Sequence, residues 1–118
     1  MSAVLLDSLR DAARFVATVQ AAIDAARFVA TVQAAIEVLT EAADAAPEGA
    51  SLIGGFDDEE GDWCATIAVR GARLSVFVIR GPHVEVLWHF LGHGGEAEMH
   101  DGPITVEGAR DALRRMHG

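Results

Sequence analysis

The chain has 118 residues, a single cysteine, a formal charge of −9 and 51% apolar residues. That length fits one domain, residues 1–118, able to bury a core without disulfide or metal staples, and Cys64 has no second cysteine to pair with. The acidic balance argues against nucleic acid as a partner, because neutralising phosphates needs a basic face. No uninterrupted apolar run approaches the ~20 residues that span a bilayer. The N-terminus lacks the basic region and compact apolar core of a signal peptide. The expectation is a cytoplasmic protein with no membrane partner.

Residues 2–46 read as helix. Ala, Leu, Val, Gln, Arg and Glu dominate, Gly and Pro are absent, and Pro47 and Gly49 close the segment. Inside it lies a tandem repeat: DAARFVATVQAAI at residues 11–23 recurs unchanged at residues 24–36. A copy without drift points to a recent or deliberate duplication within a shorter parent. Two units are too few for a solenoid.

On a helix, a shift of thirteen residues leaves the second copy about 140° short of four full turns. The first copy carries an apolar stripe at Phe15, Val16, Val19, Ala22 and Ile23, extended by Leu5, Leu9 and Ala12. The second carries the same stripe at Phe28, Val29, Val32, Ala35 and Ile36, extended by Leu39 and Ala43. One unbroken helix therefore points its two stripes in different directions. The alternatives are a helical hairpin breaking near residues 20–26, with no Gly or Pro to turn it, or one copy expelled as a loop. The unbroken helix is the preferred reading. At about 65 Å it exceeds the diameter of a domain this size, so half of it needs apolar cover from another chain. That implies a homo-oligomer, in the first instance a dimer.

After Pro47 the pattern changes. Ser51–Phe56 reads as a short strand weakened by Gly54 and Gly55. Asp57–Asp62 is an acidic loop that lacks the spacing of an EF-hand and reads as a hairpin connection. Three stronger strands come next at Trp63–Arg70, Arg73–Arg80 and His83–Leu91, joined by glycine-led turns. Alternation places Ala65, Ile67, Val69, Leu74, Val76, Val78, Val84, Val86, Trp88 and Phe90 on a core face. The opposite face mixes Cys64, Thr66, Ser75 and His89 with Phe77, Ile79 and Leu87, and its apolar members call for cover by the last helix or a partner. Glu96–His100 reads as an edge strand. Thr105 caps a final helix, Val106–Met116, with Glu107 in its first turn and Arg114 and Arg115 in its last. The fold class is α+β: a long N-terminal helix, an antiparallel meander of four to five strands, and a C-terminal helix. In element order and charge this resembles the small acidic dimeric chaperones of bacterial secretion.

No nucleophile elbow, phosphate loop or cysteine cluster is present. Cys64 with His89 is a weak nucleophile–base pair, more simply read as a half-buried filler. The one constellation with metal-binding chemistry is His89, His93 and His100, with acidic neighbours. It would take a divalent transition metal if the three converged; otherwise no cofactor is implied. The preferred functional reading is a non-enzymatic protein-binding or regulatory module. It would contact itself, and possibly another protein, through Phe15, Val19, Ile23, Phe28, Val32, Ile36, Phe77, Ile79 and Leu87. The alternative is a small metal-binding protein or metal-dependent enzyme.

Overall fold

The computed structural model describes residues 3–56 and 61–117; the calcium-loop reading of Asp57–Asp62 falls mostly outside them. The first element is one helix, α1, spanning Ala3–Ala42. A single 3-10 turn at Ala43–Ala45 comes next, and Ala46 is extended at φ −71° and ψ 146°, as the ring of Pro47 requires of the residue before it. The helix crosses the repeat junction without a break. Gln20 Nε2 donates to Asp24 Oδ1 across the junction at 3.0 Å. Thr18 and Thr31, equivalent positions, each donate to the carbonyl four residues back, at 3.0 and 2.7 Å. Hairpin and loop are thereby excluded.

Five strands succeed it: β1 Ser51–Phe56, β2 Trp63–Val69, β3 Ala72–Ile79, β4 Glu85–Leu91 and β5 Ala97–Asp101, and then α2, Val106–Arg115. The strands form one antiparallel sheet in the order β1-β2-β3-β4-β5, a meander. Each expected strand boundary lies within one or two residues of the observed one. The largest shift is at β4, which starts at Glu85 because Gly81–His83 form the turn. Gly54 is needed in β1: a Cβ there would stand 2.2 Å from the Cys64 carbonyl oxygen of the neighbouring strand.

Register assigns the faces. Leu74 stands opposite Ile67 and Phe90, and Val76 opposite Ala65 and Trp88, so the expected core face is the one the helices cover. Leu74, Val76, Val78 and Phe90 are all but inaccessible. Both helices pack on this face. Contrary to the expectation from the sequence, the last helix leaves the mixed face bare. It lies beside α1 instead, closing the core with Ala109, Ala112, Leu113 and Met116. The reason is width: five strands about 4.8 Å apart make a face wider than one helix of ~10 Å can cover. Two of the bonds that hold α2 beside α1 run from Arg110 Nη2 to the Glu41 carbonyl at 3.3 Å and from His117 Nε2 to the Ala45 carbonyl at 2.8 Å. The Thr105 hydroxyl caps the helix by accepting the Gly108 N–H at 3.0 Å.

The sheet takes only the second half of α1. Phe28, Val32, Ala35, Leu39 and Ala42 are buried against it, while residues 3–23 project past the sheet. The molecule is accordingly 73 × 24 × 21 Å with a radius of gyration of 19.8 Å, against about 13 Å for a compact chain of this length. The two copies allow an internal comparison. Phe28 is 3% exposed and its equivalent Phe15 70%; Val32 is 4% exposed and its equivalent Val19 41%. Phe28→Ala should therefore cost about 3–5 kcal/mol of stability, and Phe15→Ala about 0.5 kcal/mol or less. Urea unfolding of the two variants in dilute solution measures the difference; equal losses would contradict the docking of the second copy.

Candidate functional site

Among the described residues, the exposed surface is apolar in three places. The first is the projecting half of α1, where Leu9, Phe15, Val16, Val19 and Ile23 are 41–70% exposed. Over Ala3–Ala45 the chain contains an 18-residue window of mean hydropathy 1.4, only 11% buried. By length and composition this helix is therefore apolar enough to cross a bilayer, a property missed by looking for an uninterrupted run. Asp7, Arg10, Asp11 and Arg14 nevertheless recur along the projecting part. They form two loose pairs, Arg10–Asp7 at 3.9 Å and Arg14–Asp11 at 3.7 Å.

The second place is the β1 side of the helix-bearing face. Strand β1 is an edge. Leu52 and Phe56, 70% and 61% exposed, lie on this face, whereas Ile53, 64% exposed, pairs with Thr66 and belongs to the opposite face. Between it and α1 runs a groove of about 470 Å³ lined by Ile36, Leu39, Leu52, Trp63 and Ile67 among others.

The third is the bare face of the sheet. Phe77, Ile79 and Leu87 lie there half-buried, with Met99 76% exposed. Beside them the Thr66 and Ser75 hydroxyls are hydrogen-bonded at 2.8 Å, and Cys64 Sγ lies 3.8 Å from Thr66 Oγ1. His89 stands across from Ser75 in the strand register and packs on the Phe77 ring, with centroids 5.0 Å apart. Its Nε2 atom is buried without a hydrogen-bond partner. Cys64, Thr66, Ser75, Phe77, His89 and Met99 line a depression of about 430 Å³.

The three histidines are not brought together. His89 is on the bare face. His100 pairs with Trp88 in the register and stacks on its indole, with centroids 3.9 Å apart, on the helix-bearing face. His93, in the β4–β5 turn, donates from Nε2 to the Met116 carbonyl at 2.6 Å. Among the described residues no group of three or more His, Cys, Asp or Glu is placed to hold a metal ion. Of the contact residues expected from the sequence, Phe28 and Val32 belong to the chain's own core. Phe15, Val19, Ile23 and Ile36 are exposed, and Phe77, Ile79 and Leu87 lie on the bare sheet. Leu52, Ile53, Phe56 and Met99 were missed because the exposure of an edge strand depends on sheet order, which local pattern does not encode.

A polar clasp, also missed, ties the edge strand β5 to α2. Arg115 Nη1 donates to Glu98 Oε2, His100 Nε2 donates to Glu98 Oε1 at 3.1 Å, and Asp111 meets Arg115 at 3.2 Å. The Arg115 guanidinium lies 4.2 Å from the centroid of the Phe90 ring. Hydrogen bonds from Arg115, then His100, hold the Glu98 carboxyl below the usual carboxylate range. No family model matches the chain, and no curated protein or solved structure shows significant similarity to it.

A carboxyl whose pKa is depressed on folding stabilises the fold above its unfolded pKa. It loses that contribution as pH falls through the folded value. The wild-type melting temperature should therefore fall more steeply than that of Glu98→Gln between about pH 5 and pH 3. Parallel melting curves would tell against the clasp.

Proposed function

We propose that this chain is a non-catalytic protein-binding module, and that its lengthened helix associates with another copy. One observation carries the reading. Phe28 and Val32, buried against the sheet, recur in the first copy as Phe15 and Val19, which stay exposed. Apolar patches of this continuity on a protein surface mark interaction sites. The groove beside Ile36 and the bare face with Phe77, Ile79 and Leu87 supply further surface for a second protein. The scattered histidines give the metal-enzyme alternative no support.

Association through α1 predicts that light scattering of the eluting full-length chain gives twice the monomer mass at high micromolar concentration. A strict monomer across the concentration range would refute self-association.

A further inference from the structure

We infer that the projecting half of α1 pairs antiparallel with the same segment of a second copy, about a two-fold axis at position 14. This rests on the self-association reading above and adds direction and register to it.

The first support is the spacing of the seam. Leu5, Leu9, Ala12, Val16, Val19 and Ile23 succeed one another at intervals of four, three, four, three and four residues. That is the 3.5-residue period along which two helices interlock side chains. The series also reads the same from either end. A two-fold antiparallel pair sets Leu5 against Ile23, Leu9 against Val19 and Ala12 against Val16, and then repeats these layers in reverse. An isologous interface demands such self-complementarity, and an arbitrary apolar stripe does not provide it.

Charge supplies the second support. No seam position is charged, and Asp7 and Asp11 cancel Arg10 and Arg14, so the whole net charge of −9 lies outside residues 3–23. A parallel pair would set two acidic bodies side by side. An antiparallel pair places the docked halves of α1, centred near residue 33, about 57 Å apart at 1.5 Å per residue. That distance is several times the ~8 Å screening length at physiological salt. It also opposes the two helix dipoles.

The same charges argue against one other seat. Continuing the docked side of α1 into the projecting half leads to Arg10 and Arg14, with Asp7 and Asp11 beside them. With the two-fold axis normal to the sheet, the helix of a second copy lying antiparallel beside the docked half, in the groove next to Ile36, would turn that charged side to the sheet. The seam points about 140° away from it.

The third support is area. Leu5, Leu9, Val16, Val19 and Ile23 are 41–65% exposed and Phe15, at the seam margin, 70%. On two copies this makes on the order of 1,000 Å² of apolar surface, the scale at which specific interfaces begin.

The test uses the full-length chain in a Cys64→Ala background, with Leu9→Cys and Val19→Cys made separately. Under mild oxidation the mixture should form a disulfide dimer containing one of each variant, identified by mass, while neither variant alone should cross-link. Cross-linking of each variant to itself would mean a parallel pair and would overturn the proposal, as would no cross-link in the mixture. Val16→Asp should weaken association by about 100-fold through burial of an unpaired charge, with the unfolding transition of the body unchanged. A dimer that survives this substitution also overturns the proposal. A monomeric wild-type chain sinks the self-association reading together with this inference, whereas a wild-type dimer with the wrong cross-links sinks only the pairing. Flotation of the monomeric chain with phosphatidylcholine vesicles would assign the stripe to lipid instead.

Discussion

Thirteen residues do not make a whole number of helical turns, and the shape of this molecule is a consequence of that mismatch. A repeat of eleven, or of seven in a supercoiled helix, would have kept one stripe facing one way. The unit at residues 11–23 and 24–36 leaves two stripes about 140° apart. A helix can present only one of them to a given sheet. Breaking α1 would realign the copies but sacrifice backbone hydrogen bonds in an Ala-rich segment with no residue suited to a turn. The structure keeps the helix and leaves a stripe uncovered.

The second copy wins the sheet because of the residues on its C-terminal side. Leu39 and Ala42 continue its stripe at helical spacing and are buried with it, and Pro47 directs the chain into β1 only a few residues later. Docking the first copy would strand residues 24–36 between the seated helix and a fixed exit. The first copy has its own extension in Leu5 and Leu9, so its apolar content is not inferior. Connectivity decides between two segments that sequence alone cannot rank. The 3% and 70% exposures of Phe28 and Phe15 show how far the fate of a side chain is set by its surroundings in the fold.

Much of the fold was legible because alternation in β2, β3 and β4 is strong and each strand is bounded by turn residues. The capped α2 was equally plain: Thr105 accepts from Gly108 N–H, and Arg114 and Arg115 close the last turn. The side of the sheet that α2 takes was not legible from its own pattern. The sheet did carry the information, since the apolar face running from Ala65 to Phe90 is too wide for one helix. The histidines illustrate a different limit. Register across the β4–β5 turn puts Trp88 opposite His100, and hence His89 and His100 on opposite faces. A one-residue change of register would have put them on the same face. Spacing in the sequence could not choose between these outcomes, so convergence on a metal was never encoded in it.

The exposed stripe also bears on the order of the helix itself. Most of the stability of a helix in a folded protein comes from packing its apolar face rather than from intrinsic propensity. In the docked half, packing against the sheet adds to that intrinsic preference. In residues 3–23 the intrahelical contribution consists of weak pairs such as Arg10–Asp7 and Arg14–Asp11, both largely exposed and each worth a few tenths of a kcal/mol. Burying the seam would therefore stabilise the helix, and a more ordered helix would present a better seam. The two equilibria are linked, so any surface that covers Leu9, Val16 and Val19 also binds more tightly to a helix already continuous with the docked half. The unbroken junction at Gln20–Asp24 supplies that continuity: the sheet that holds the second copy also extends the first one outward as a helix.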